Sequence, residues 1–202
     1  MHFPIHSSFT LAALTFLLTS CSESITDSRD GQSYDVVKIG DLAWMAENLN
    51  FETAGSFCPE GDSRNCKRLG RLYSWAEAKS ICPDGWRLPT KADFESLVVA
   101  TSEDAAQSSS QSRAGAALKS SDGWFKKGNG SDALGFRALP AGYRSADGKF
   151  NGIGGYAYFW SATEDAENRE ANAFYLFLSF SSDAASLNAF AKEDYRSVRC
   201  VR

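Results

Sequence analysis

Residues 82–90 read CPDGWRLPT, and their reading decides the fold. Pro83-Asp84-Gly85 is a turn, because proline fixes φ and glycine accepts positive φ. Trp86 and Leu88 alternate with Arg87, so both are expected to point into a core. Pro89 ends the extended piece. Thr90 is placed to cap the run KADFESLVVA, residues 91–100, with Asp93 at the third position as its reciprocal partner. Phe94, Leu97 and Val98 form the buried stripe of that helix. The stretch therefore has a structural explanation: a tight corner between two helices, held by whatever Cys82 bonds to.

Upstream of the corner, LYSWAEAKSIC, residues 72–82, carries Leu72, Trp75, Ala76 and Lys79 at helical spacing and is predicted as the first helix. Further upstream, YDVVKI (34–39) and LAWMA (42–46) are apolar runs joined by Gly40-Asp41, a hairpin signal. Residues 22–30, SESITDSRD, are polar and are expected to be a structureless tether. Downstream, residues 101–112 are small and polar, the pattern of a surface loop. RAGAALKSS (113–121) is expected to form a short helix. From Asp122 to Trp160 the chain is rich in glycine and rings, the pattern of irregular loops and strands. NAFYLFLSF (172–180), SLNAFAK (186–192) and YRSVRCVR (195–202) complete a strand meander.

The chain has 202 residues, 43% hydrophobic, enough for one domain with a core. Its 21 Lys and Arg against 25 Asp and Glu are scattered, and no clustered basic face suggests nucleic acid. The apolar run at residues 9–18, FTLAALTFLL, is too short to span a bilayer. It leads into LTSC, Leu18 to Cys21, and the whole resembles a bacterial lipoprotein signal. The resemblance implies removal of residues 1–20, a lipid on Cys21, a tether to residue 30 and a domain over 31–202. Ser22, rather than Asp, follows the cysteine, which implies the outer membrane. His2 and His6 both lie within residues 1–20, so the mature chain has no histidine. That excludes Ser-His-Asp and Cys-His catalysis.

Of the five cysteines, Cys21 is assigned to lipid, leaving Cys58, Cys66, Cys82 and Cys200. An even number in an exported chain reads as two disulfides. Three pairings exist. The expected one closes Cys58–Cys66 around a short polar loop and joins Cys82 to Cys200 near the end of the chain. The spacing has no paired CxxC knuckle, which argues against a structural metal.

Taken in order, VKIGDLAWMAENLNF, GRLYSWAEAKSICPDGWRLPT, GFRALPAGYRSADGKF, FWSATE and SVRCVR resemble the Fibrobacter succinogenes major paralogous domain family over residues 30–202. The resemblance implies an exported or lipid-anchored bacterial domain without a defined molecular role. GWRLPT before a helix and the terminal VRCVR also resemble formylglycine-generating sulfatase-modifying domains. That second resemblance implies an α+β, C-type-lectin-like variant, with two helices packed on a twisted antiparallel sheet, long irregular loops and disulfide staples. Sulfatase-modifying activity does not transfer, because no cysteine lies between Cys82 and Cys200.

Flat rings in glycine-rich segments suit sugar faces. Trp124, Phe125, Tyr143, Tyr156 and Tyr158 are accordingly the candidate ligand-binding residues, whereas Trp75, Trp86 and Trp160 are expected in the core. Asn129, Asp132, Glu164 and Asp165 supply oxygen atoms that suit calcium, but without EF-hand spacing. A carboxylate pair such as Glu164 with Asp165 or Glu167 has the residue types of an acid and base for glycosidic cleavage, although adjacent acidic residues in TEDAENRE are expected as a surface turn or helix start. No cofactor is expected. The function expected is non-catalytic binding or adhesion at the cell envelope, to polysaccharide or a cell-surface protein. The alternatives are a carboxylate-dependent polysaccharide hydrolase and a structural envelope scaffold.

Overall fold

A computed structural model describes residues 23–101 and 110–202. Cys21 and the signal-like run lie outside the described residues, as does most of the 101–112 segment.

The chain opens with an antiparallel sheet of three strands, β1 (Glu23–Thr26), β2 (Ser33–Ile39) and β3 (Leu42–Met45), in that order. Gly40, at φ 62°, turns β2 into β3 as the Gly40-Asp41 pair predicts. The expectation of a tether over residues 21–30 is corrected here. Glu23 to Thr26 pair with Val36 to Ser33. A polar strand needs only backbone partners to join a sheet edge, so its composition conceals it. Asp27, fully buried, then turns the chain and accepts bonds from the Arg29 backbone and guanidinium.

Helix α1 (Ser63–Leu69) follows, with Asp62 accepting from the Arg64 backbone N–H at its start. It is tied to the preceding loop by the Cys58–Cys66 disulfide. The helix expected over 72–82 is much shorter than its periodicity suggests. Leu72–Ser74 form strand β4, and α2 is a single turn, Trp75–Ala78, capped by the Ser74 hydroxyl. Pairing with a later strand captures Leu72 and Tyr73, which are buried in that position. Helix α3 (Lys91–Ala100) carries the expected reciprocal cap: Thr90 accepts from the Asp93 N–H and the Asp93 carboxylate accepts from the Thr90 N–H. Helix α4 (Ser110–Leu118) begins a little before the expected 113–121.

Six further strands complete the fold: β5 (Tyr143–Arg144), β6 (Phe150–Asn151), β7 (Tyr156–Glu164), β8 (Asn172–Ser179), β9 (Ala185–Ala191) and β10 (Tyr195–Ser197). With β4 they make a seven-stranded sheet of order β6-β5-β10-β7-β8-β9, in which β4 pairs with β10. The β10–β7 pair is parallel and the others are antiparallel, so the sheet is mixed rather than purely antiparallel. Among the described residues the architecture is therefore α+β, with four α-helices and two sheets.

The CPDGWRLPT corner locks this frame. Gly85 sits at φ 77° and the Trp86 N–H donates to the Pro83 carbonyl. Arg87 exchanges two backbone bonds of 2.9 Å with Val201, beside the Cys82–Cys200 disulfide. The last residues also pair with β3, through Ala43 and Arg202. Beginning, middle and end of the domain thus meet at one place. One apolar cluster lies between the sheet and helices α3 and α4, built on Phe94, Leu97, Phe136, Phe159, Leu176 and Leu178. A second surrounds Trp75, Trp86, Trp160 and Val198, so the three tryptophans expected in the core are there.

Candidate binding face

Strand β7 alternates from Tyr156 to Phe159, and β8 alternates from Tyr175 to Leu178. Ala157, Phe159, Leu176 and Leu178 face the helices and are buried. The intervening residues, Tyr156, Tyr158, Tyr175 and Phe177, face the other way and are half-buried. Successive side chains on a strand point to opposite faces, so one face of the sheet is aliphatic-packed and the other is aromatic.

The rings form a connected array. Tyr158 is central, with centroids 5.1 Å from Tyr143, 5.1 Å from Phe177 and 5.7 Å from Tyr175. Tyr156 stacks on Phe177 at 5.7 Å and meets Phe180 edge-on at 5.9 Å. Such tilted and stacked pairs hold each ring in a defined orientation, and Tyr156, Tyr158, Tyr175 and Phe177 each remain partly accessible. Beneath it lies Arg196, 2% exposed, whose guanidinium carbon is 4.3 Å from the Trp160 ring and 4.5 Å from that of Tyr175. It donates from Nη2 to Asp194 at 3.0 Å, while its Nε and Nη1 are buried without a hydrogen-bond partner among the described residues and lie among rings that attract the cation. Burial pushes the Tyr158 and Tyr175 phenols above their ordinary pKa, so both stay neutral and keep a hydroxyl that donates and accepts.

The structure thus brings together Tyr143, Tyr156 and Tyr158 of the sequence-predicted set. Phe125 is 55% exposed but stands apart from the array. It rests against Gly154 at a small apolar cavity of about 150 Å³ that also includes Pro140 and Ile153. Trp124 is a correction. It is only 6% exposed and belongs to the core, with its indole N–H donating to Ser120 Oγ and the Ala138 carbonyl. The buried Lys119 ammonium lies 5.4 Å from its ring. The glycines around Trp124 serve packing rather than openness. At Gly128 a Cβ would collide with the Phe180 carbonyl, and at Gly130 with the Lys119 carbonyl.

The oxygen-bearing candidates are each committed locally. Asn129 Oδ1 accepts from the Trp124 N–H, Asp132 Oδ1 from the Arg137 N–H and Asp165 Oδ1 from the Glu167 N–H. Glu164 accepts from Lys192 at 2.8 Å, and that ammonium holds its carboxyl below the usual range. Among the described residues no group of three or more His, Cys, Asp or Glu is gathered for a metal.

Sequence reasoning missed Tyr175, Phe177, Phe180 and Arg196. The signal was present in NAFYLFLSF, where rings at 175 and 177 alternate with leucines at 176 and 178. A second concavity, of about 330 Å³, is polar and lies between β2 and α1, lined by Tyr34, Glu47, Asn48, Lys67 and Arg137.

The fold and its surface define a class: a disulfide-pinned α+β domain whose main sheet is covered by helices on one face and presents rings on the other. The chain belongs to the Fibrobacter succinogenes major domain family, whose sequence model matches residues 37–202. No curated protein and no solved structure matches it.

Proposed function

We propose that this chain is a lipid-anchored envelope protein whose domain binds polysaccharide, without cleaving it, on the aromatic face of the main sheet. The observation that carries the reading is the connected array of Tyr143, Tyr156, Tyr158, Tyr175 and Phe177 on a strand-built, disulfide-pinned surface. Flat rings held by a rigid sheet match the apolar faces of sugars, and the neutral hydroxyls of Tyr158 and Tyr175 suit sugar hydroxyls. Glu164 argues against the hydrolase alternative, because a carboxylate held ionised by Lys192 is a poor general acid. The anchor rests on LTSC at residues 18–21, and the outer membrane on Ser22. The C-type-lectin-like assignment draws support from the pairing of the chain's last residues with β3, which closes the two ends of the domain on each other.

The test is affinity electrophoresis of the protein through a panel of plant and bacterial polysaccharides. Wild type should be retarded by at least one polymer. Tyr158→Ala, which removes the central ring, should weaken binding by about 2 kcal/mol, the scale of a hot-spot residue. No retardation by any polymer, or equal retardation of a correctly folded Tyr158→Ala, would sink the reading. Membrane release of a Cys21→Ser variant, with acyl groups on the wild-type mass, tests the anchor separately.

A further inference from the structure

Strand β9 ends the main sheet, and its register with β8 has a specific consequence. The Lys192 N–H donates to the Ala171 carbonyl, and the ladder then alternates, so Phe190, Asn188 and Ser186 bond β8. Leu187 and Ala189 therefore direct their N–H and C=O groups outward. Neither meets a hydrogen-bond partner among the described residues. The other sheet ends are protected. At the far end of the same sheet, β6 is only two residues long. In the smaller sheet, β3 bonds to Cys200 and Arg202, and β1 is only four residues long and starts with the charged Glu23.

An open edge is ordinarily blunted by charge, proline or a bulge. Strand β9, Ala-Ser-Leu-Asn-Ala-Phe-Ala over Ala185–Ala191, has no charged residue and no proline, and it pairs with β8 without a register shift. It also carries Phe190, 56% exposed. Unpaired backbone donors and acceptors specify an extended strand as the partner. An uncharged strand can meet its own copy antiparallel with no like charges opposed inside the pairing.

We propose that two copies of this chain join through β9, antiparallel about a two-fold axis close to Asn188. Leu187 and Ala189 of each copy bond the other, and Phe190 is covered. Ser186, Asn188 and Phe190 share the face of Tyr158, Tyr175 and Phe177. The pairing therefore runs the aromatic faces of both copies into one surface, with a residue from each copy at the seam. The proposal stands whatever ligand that surface takes.

The experiment co-expresses two differently tagged full-length copies, extracts them in mild detergent and measures how much of the second tag accompanies the first. Wild type and Asn188→Gln should co-purify. With Asn188→Lys in both copies, or Asn188→Glu in both, co-purification should be lost, because like charges then meet at the axis. One copy with Asn188→Lys and the other with Asn188→Glu should restore it. Asn188 is exposed, so these changes leave the fold intact, which thermal unfolding verifies. Absence of wild-type pairing overturns the proposal. So does pairing indifferent to charge at 188, or failure of the Lys/Glu combination to restore it. Polysaccharide retardation of the Asn188→Lys protein tests the ligand reading independently.

Discussion

The two disulfides close loops of very different size, with sequence separations of 118 for Cys82–Cys200 and 8 for Cys58–Cys66. Cross-linking restricts the unfolded chain by an amount that grows with the logarithm of loop length. The loop-entropy relation gives about 4.9 kcal/mol for the long bridge and about 2.5 kcal/mol for the short one, a difference of about 2.4 kcal/mol. The perturbation is a pair of double variants, Cys82→Ala with Cys200→Ala, and Cys58→Ala with Cys66→Ala. Cys200 and Cys66 are buried and Cys82 and Cys58 half-buried, so each double variant loses one buried and one half-buried sulfur and the packing cost largely cancels in the comparison. Guanidinium unfolding followed by tryptophan fluorescence measures both, with slopes checked for a constant change in exposed surface. The long-bridge variant should be the less stable of the two by about 2.4 kcal/mol. Equal losses, or a greater loss for the short bridge, would refute the view that the 82–200 closure acts through the unfolded chain.

Two further outcomes follow from the packing and charges. Trp124→Ala removes a core ring whose single indole N–H is shared between Ser120 Oγ and the Ala138 carbonyl, so it should cost about 3–5 kcal/mol in chemical unfolding. A loss near zero would return Trp124 to the surface. Asp27 has its carboxyl lowered by hydrogen bonding from Arg29, so its folded pKa lies below its unfolded one. Its stabilising contribution is therefore present above about pH 4, the ordinary aspartate value, and is lost as pH falls through the folded value. Wild type should exceed Asp27→Asn in unfolding midpoint at neutral pH, and the two should converge in acid. A constant gap across the titration would contradict this.

What the sequence revealed was mostly local. The Thr90–Asp93 cap, the Gly40-Asp41 turn and the Pro83-Asp84-Gly85 corner depend on residues within a few positions of one another. The disulfide pairing is also legible, because four cysteines allow few choices and a short loop closes readily. The misreadings have one cause: tertiary partners decide between local alternatives. Leu72 and Tyr73 fit a helix by spacing, yet β10 captures them as a strand. Residues 23–26 look too polar for structure, yet the edge of β2 was available. Trp124 lies among glycines that suggest an open loop. Those at 128 and 130 are small because the backbone passes close to Phe180 and Lys119, a fact invisible in one dimension. The ring array was half legible. Tyr143, Tyr156 and Tyr158 stood out by composition, whereas Tyr175 and Phe177 needed the strand's period of two to be assigned to the same face.

The early start of β1 has a mechanical consequence. Glu23 is already paired with Val36, two positions after the cysteine proposed to carry lipid. Two residues of extended chain reach only about 7 Å. The domain would then ride flush on the bilayer, without slack to swivel. Tension from a bound polymer would pass from the membrane directly into β1. From there it would spread through β2 and β3 to the chain's last residues, which are bolted to residue 82 by a covalent bond. The route by which this protein would bear a load therefore runs along its smaller sheet and spares the helices that support its rings.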